Sequence, residues 1–316
     1  MTGIWSEEAG DASHPLIAIV HGAMDRSAGM LKLSRRLDER YRVLRYDRRG
    51  YGRSNPHPGP FGIDAQVADL VDLLAGRRAV VVGHSYGGNV ALATACRHPE
   101  LVAGVAVYET PMSWEPWWPG TTAGATAIAA QEGGTEMAAE RFMRRLVGDA
   151  RWEALPERTR AIRRAEGAAL VGELADLRER APWHAAGVHV PVMVGNGSLG
   201  AAHHQDGMAR MAAAIPGARL VVLEGCRHDA PTSHPAEFCH QLVEPLLAAV
   251  DWSGQLDVGA EEPAGHRSGG TGRHVGLRLV GTIDEARALG PRSEGEAAHQ
   301  HHHDELGDDA LHEPGR

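Results

Sequence analysis

Short, nearly continuous apolar runs that alternate with amphipathic stretches constrain this chain more than any other feature. The runs are Leu16–Val20, Val43–Tyr46, Ala79–Val82, Val102–Tyr108, Val190–Val194 and Ala218–Leu223. Continuous apolar character, rather than strict alternation, belongs to strands covered on both faces, as in a parallel sheet. Between the runs, Leu31–Glu39, Asp64–Ala75, Gly88–Arg97, Asp206–Ala214 and Pro235–Val250 read as helices. Parallel neighbours need a long crossover, and helices of this length supply it. The fold class is therefore α/β, with a mostly parallel, doubly wound sheet.

The alternation holds as far as Pro111 and resumes near Val190. Core segments are accordingly expected at 1–111 and 188–250, with a helical cap inserted at 112–187. Five of the seven tryptophans fall in that insertion: Trp114, Trp117, Trp118, Trp152 and Trp183. Trp117 and Trp118 are candidates for substrate contact, because aromatic side chains line small-molecule pockets; packing against the sheet is the competing use. From 251 to 316 the chain carries thirteen acidic against six basic side chains and one weak apolar island, Val275–Val280. Such a composition buries too little apolar surface to offset chain ordering, so a disordered acidic tail is expected. Its short tract His299, His301–His303 reads as solvated chain rather than a metal site.

Composition removes several chemistries. A net charge of −9 argues against a broad nucleic-acid footprint. Lys32 is the only lysine and lies in an amphipathic stretch, which leaves no P-loop lysine and no Schiff-base lysine in a pocket. Cys96, Cys226 and Cys239 have neither metal-ligand spacing nor an even count. No apolar run reaches the ~20 residues of a membrane span, and Met1–Glu8 lacks the basic and apolar regions of a signal peptide. The expectation is a cytoplasmic protein acting on a small molecule without metal, organic cofactor, membrane or nucleic acid; oligomeric state is not readable.

The strongest local signal is Val80-Val81-Val82-Gly83-His84-Ser85-Tyr86-Gly87-Gly88, a G-x-S-x-G between an apolar strand and a helix. A serine at such a turn is raised out of the sheet, and small flanking residues let the backbones approach. After the first long run comes His21-Gly22-Ala23-Met24, so the N–H groups of Ala23 and Tyr86 are candidate oxyanion donors. His21 is a candidate substrate contact. His228 follows the last run, in Glu224-Gly225-Cys226-Arg227-His228-Asp229, and can reach over the sheet edge as the base. His84 reads as structural.

These residues, together with Asp47-Arg48-Arg49-Gly50-Tyr51-Gly52-Arg53-Ser54, resemble the α/β-hydrolase superfamily over roughly residues 3–250. The resemblance implies a Ser–His–acid triad carried by Ser85 and His228. Members usually take the acid from the loop after the penultimate strand, but Gly195-Asn196-Gly197-Ser198 holds no carboxylate there. Asp206 follows at an expected helix start, where capping explains it. Glu109 ends the strand after the nucleophile, a position to which some haloalkane dehalogenases of similar layout move their acid, and it is the preferred candidate. The expected activity is hydrolysis of a carboxylic ester or lactone through an acyl-enzyme on Ser85. A C–C hydrolase, thioesterase or cofactor-free haloperoxidase on the same triad, or a non-hydrolytic ligand-binding member, are the alternatives.

Overall fold

A computed structural model describes residues 3–252. The strands are β1 Ser6–Ala9, β2 Leu16–Val20, β3 Arg42–Tyr46, β4 Ala79–His84, β5 Val102–Tyr108, β6 Val192–Gly197 and β7 Arg219–Leu223. They form one seven-stranded sheet in the order β1-β3-β2-β4-β5-β6-β7. Only β1 is antiparallel, against β3; all other neighbouring pairs are parallel. The helices are α1 Leu31–Leu37, α2 Ile63–Leu74, α3 Tyr86–Arg97, α4 Ala123–Ala129, α5 Thr135–Val147, α6 Asp149–Glu153, α7 Glu157–Ala165, α8 Gly167–Glu179, α9 Ala202–Ala214, α10 Ala230–Ser233, α11 Pro235–Phe238 and α12 Glu244–Ala249. The tail, including Val275–Val280 and the histidine tract, lies outside the described residues.

The apolar runs are continuous because the sheet is sandwiched. Successive side chains of a strand point to opposite faces. Leu16, Ala18 and Val20 join a cluster with α2, α3 and α9, whereas Ile17 and Ile19 join one with α1 and the C-terminal helices. Both sets are buried, and β2 carries no polar residue. The outer strand β7 differs: Leu220 and Val222 are 43% and 47% exposed. Connections run outward from β2 to β3 and then return to β4, so strand order reverses between β2 and β4. In an open α/β sheet the crevice beyond the strand ends at such a reversal is where ligands bind.

Two helices depart from the sequence reading. The last one is interrupted: α11 runs into a π-turn, Cys239–Val243, before α12. Pro245 lacks an amide proton and cannot continue the α-helical ladder, which accounts for the break. α9 begins at Ala202, one turn earlier than expected.

Helices α4 to α8 form the insertion. They have their own apolar cluster around Phe142, Trp152 and Leu170, joined by Met24 and Tyr51 from the sheet side. Trp152 is fully buried, and truncating such a residue costs about 3–5 kcal/mol. α8 is fastened to the sheet by two buried glutamates. Glu173 receives Arg48 Nη1 at 2.6 Å, the Tyr51 hydroxyl at 2.7 Å and Gln66 Nε2 at 3.2 Å. Glu166 receives Arg26 at 2.7 Å and the Gly52 amide at 2.9 Å. Burial works against the Arg48 charge, but Glu173 together with Tyr51 and Tyr86 more than offsets it and the guanidinium pKa rises.

Candidate active site

Ser85 sits between β4 and α3 with φ 53° and ψ −125°. A side-chain-bearing residue adopts this conformation only when its surroundings over-determine it. Here the Ser85 amide donates to the Tyr108 carbonyl at 2.8 Å, and the Ser85 carbonyl accepts from Gly88 N–H at 2.9 Å. A Cβ on Gly87 would collide with the Val20 carbonyl, and one on Gly83 with the backbone of Gly87 and Gly88. The two glycines therefore permit α3 to pass close enough to β2 and β4 for the sharp turn. As the first residue of α3, Tyr86 has an amide with no intrahelical acceptor.

Glu109 follows β5, is fully buried and has φ 45°. Its Oε1 accepts the Gly197 amide at 3.0 Å, and its Oε2 accepts Nδ1–H of His228 at 2.7 Å. Gly200 closes over this carboxylate, and any Cβ there would strike Oε1. With Nδ1 donating, the other nitrogen of His228 carries a lone pair. The loop bearing His228 is held from below: His84 Nε2 donates to the His228 carbonyl at 2.8 Å, and the Tyr108 hydroxyl to the Arg227 carbonyl at 2.9 Å. His84 is thus structural, and it acts directly on the loop that carries His228. Burial, followed by repulsion from His228, pushes its imidazole down to about 3.

Ser85, Glu109 and His228 line one cavity of about 420 Å³, which also takes in Ala23, Tyr86 and Trp118. No hydrogen bond joins Ser85 Oγ to His228 among the described residues; contacts of this kind are often long before substrate binds. The remaining candidates divide. Trp118 lines the cavity, edge-on to His203 and His204 at 4.9 and 5.3 Å. Trp117 is not on the wall; Arg210 stacks over it at 4.8 Å. His21 does not meet the cavity either. It is fully buried, with Nε2 accepting the Arg48 amide at 2.9 Å and Nδ1 2.8 Å from the Gly22 carbonyl, which corrects its expected substrate role. A histidine that opens a turn beside an arginine-rich loop is recruited to brace that loop. Asp206 lies inside α9, half-exposed, and pairs with Arg210 at 2.9 Å; it neither caps the helix nor meets His228.

Sequence reasoning missed His203 and His204. Both lie in the first turn of α9, at the same sheet edge as His228, and both line the cavity. His204 stacks on His228 with centroids 5.0 Å apart and planes 25° apart. Burial, then the charges of His228, His203 and His84, holds it well below the ordinary imidazole range. The adjacent pair at a helix start after β6 was the available signal, but attention to the loop after β7 passed over it. Donor atoms of Glu109, His204 and His228 lie within 4.8 Å of one another.

No helix among the described residues is long and apolar enough to cross a membrane. The putative carbamate hydrolase RutD of Caulobacter segnis is 43% identical over 76 residues, 22% of this chain and 28% of that protein. Epoxide hydrolase 4 of Mus musculus is 31% identical over 108 residues, 33% of this chain and 30% of its own length. The chain therefore spans about three-tenths of these curated relatives. The crystal structure of the enol-lactonase from Burkholderia xenovorans LB400 is similar over far more, 78% of this chain and 96% of that one, with a TM-score of 0.59 and 27% identity. A model of the alpha/beta hydrolase family matches residues 17–241, more than half of the sequence, and the chain belongs to that family.

Proposed function

We propose that the protein is a serine hydrolase that cleaves a carboxylic ester or lactone through an acyl-enzyme. The observation that carries this reading is the Glu109–His228 hydrogen bond of 2.7 Å on the wall of the cavity that also holds the strained Ser85 turn. Ser85 Oγ attacks the acyl carbon while its proton passes to the free nitrogen of His228. Glu109 keeps the imidazole in the tautomer that accepts this proton and balances the imidazolium that results. The amides of Ala23 and Tyr86 receive the developing oxyanion, where each well-placed donor is worth about 3–4 kcal/mol. His228 then protonates the leaving alcohol or ring oxygen. Water, deprotonated by the same nitrogen, attacks the acyl-enzyme and releases the acid with Ser85 restored. These steps draw on side chains, backbone amides and water alone.

The names of the relatives span carbamate, lactone and epoxide substrates. The first two present a carbonyl carbon, which suits acyl transfer. Epoxide opening through an alkyl-enzyme requires a carboxylate at position 85, where this chain has Ser85. The test is labelling by a fluorophosphonate together with turnover of short-chain aryl esters and lactones. Wild type should label and turn over, and Ser85→Ala should do neither. Failure of wild type in both assays rejects the reading in favour of a ligand-binding role.

A further inference from the structure

Five of the ten arginines between positions 112 and 187 pair with carboxylates, Arg180 with Asp64 among them. Arg144 pairs with Glu140, Asp149 and Glu153, Arg160 with Glu153 and Glu157, Arg164 with Glu140 and Glu157, and Arg163 with Glu166. Arg145, the next residue to Arg144 on α5, belongs to the unpaired half with Arg141, Arg151, Arg158 and Arg178, and of these it is the one that lines the cavity. No carboxylate lies within ion-pair distance of it among the described residues. Its one hydrogen bond, from Nε to the Thr121 carbonyl, is long at 3.4 Å.

Arg145 is also the one arginine on the cavity wall. The only carboxylate on that wall, Glu109, is fully buried and already engaged by His228 and Gly197. Around Arg145 the wall offers the hydroxyl-bearing Ser113, Thr121 and Thr122 and the apolar Phe142 and Leu146. The guanidinium charge reaches inward as well. His203 is lowered chiefly by burial, and against the pull of Glu109 the charges of His228 and Arg145 lower it further. Solvated surface arginines are ordinary. What separates this one is its position over a partly apolar cavity, where a charge pair is weakened less by water than on open surface.

We infer that Arg145 is the anion-binding subsite of this cavity, and that the ester or lactone it serves carries a carboxylate at the end remote from the scissile bond. The inference rests on the acyl-transfer reading for the position of that bond and deepens it by naming the substrate class. A guanidinium fork receives a carboxylate through two parallel charge-assisted hydrogen bonds, which fixes orientation as well as charge. A cavity of about 420 Å³ falls in the lower part of the range for small-molecule sites, about 300–1,000 Å³. It suits a compact acid more than a long acyl chain.

The experiment compares monomethyl adipate, which carries one carboxylate, with neutral dimethyl adipate. In wild type, kcat/KM should favour the monoanion by about tenfold or more, the value of one charge-assisted contact. Arg145→Gln should bring the ratio to one or below. Arg145→Lys should recover part of it, since a point charge replaces the fork. Added NaCl should shrink the wild-type ratio. A binding arm uses Ser85→Ala and calorimetry, so that Arg145 is judged even where turnover fails. There the monoanion should bind more tightly than the diester, and Arg145→Gln in the same background should abolish the preference. Loss of turnover on both esters with the binding preference intact rejects acyl transfer and keeps the subsite. Equal ratios in wild type and Arg145→Gln overturn the subsite, as does a monoanion that fails to bind at about 10 mM, weaker than any functional subsite of this kind.

Discussion

Two buried carboxylates, each held by a basic partner, serve this molecule in opposite ways. Beneath the insertion, Arg48 and Glu173 are 1% and 0% exposed, and their hydrogen-bonding capacity is spent. Arg48 donates to the carbonyls of His21 and Gly22, to Gln66 and to Glu173, while Glu173 also receives Tyr51. At the sheet edge, Glu109 is equally buried, but its partner His228 keeps 29% of its side chain exposed. One ring nitrogen is fixed by Glu109 and the other makes no hydrogen bond among the described residues. Burial of charge is therefore no mark of chemistry by itself. The mark is an unfilled valence, held rigid on one side and open to a cavity on the other.

The largest effect expected from this contrast lies at the edge pair. Glu109→Gln should lower turnover by about 10³–10⁴, as losing the orienting carboxylate leaves the wrong tautomer and an unbalanced imidazolium. Asp206→Asn, an exposed surface change, should stay within about threefold of wild type. The opposite ranking in an ester assay would transfer the acid's role to Asp206. Next comes the pair beneath the insertion. Glu173→Gln leaves the Arg48 charge buried without an anion and should cost about 3–5 kcal/mol, a fall in Tm of roughly 10 °C. Replacing both partners by apolar residues should recover part of that loss. A Glu173→Gln protein that melts with wild type would erase the distinction between the two pairs.

A smaller effect concerns pH. Burial, as the leading cause, keeps His21, His84 and His204 neutral in the folded chain, with His84 down at about 3. An unfolded imidazole titrates near 6.5, so below that value the unfolded chain binds more protons than the folded one. Stability should be full above about pH 7 and decline as the pH drops toward 5. Thermal melts across this interval check the sign; a flat or rising profile on acidification contradicts it.

Much of the architecture was legible because its physical causes are local. Burial on two faces leaves β2 wholly apolar and confines polar side chains to the last positions of β4 and β5, His84 and Tyr108, and the turn at Ser85 needs small residues at Gly83 and Gly87. Glu109 was legible for another reason: among the described residues it is the only carboxylate that directly follows a strand neighbouring β4. What escaped reading depends on partners distant in sequence. Glu173 looks like a solvated helix residue until Arg48, 125 positions away, meets it. His21 looks like a site residue until the Arg48 amide claims its ring. Arg145 resembles Arg144 in sequence, and only the surrounding carboxylates tell them apart. The early start of α9 was missed because Ala201, with no capping side chain, precedes it.

Glu166 and Glu173 rivet only one end of the roof over the cavity. α8 is pinned by buried charge, whereas α4 and α5 lean chiefly on each other and on the insertion's remaining helices. Any breathing of that roof is then a swing of its unpinned side. Exchange of small molecules with the cavity would then depend on that side, where the exposed Leu146 lies, and the frequency of its opening would set a ceiling on throughput.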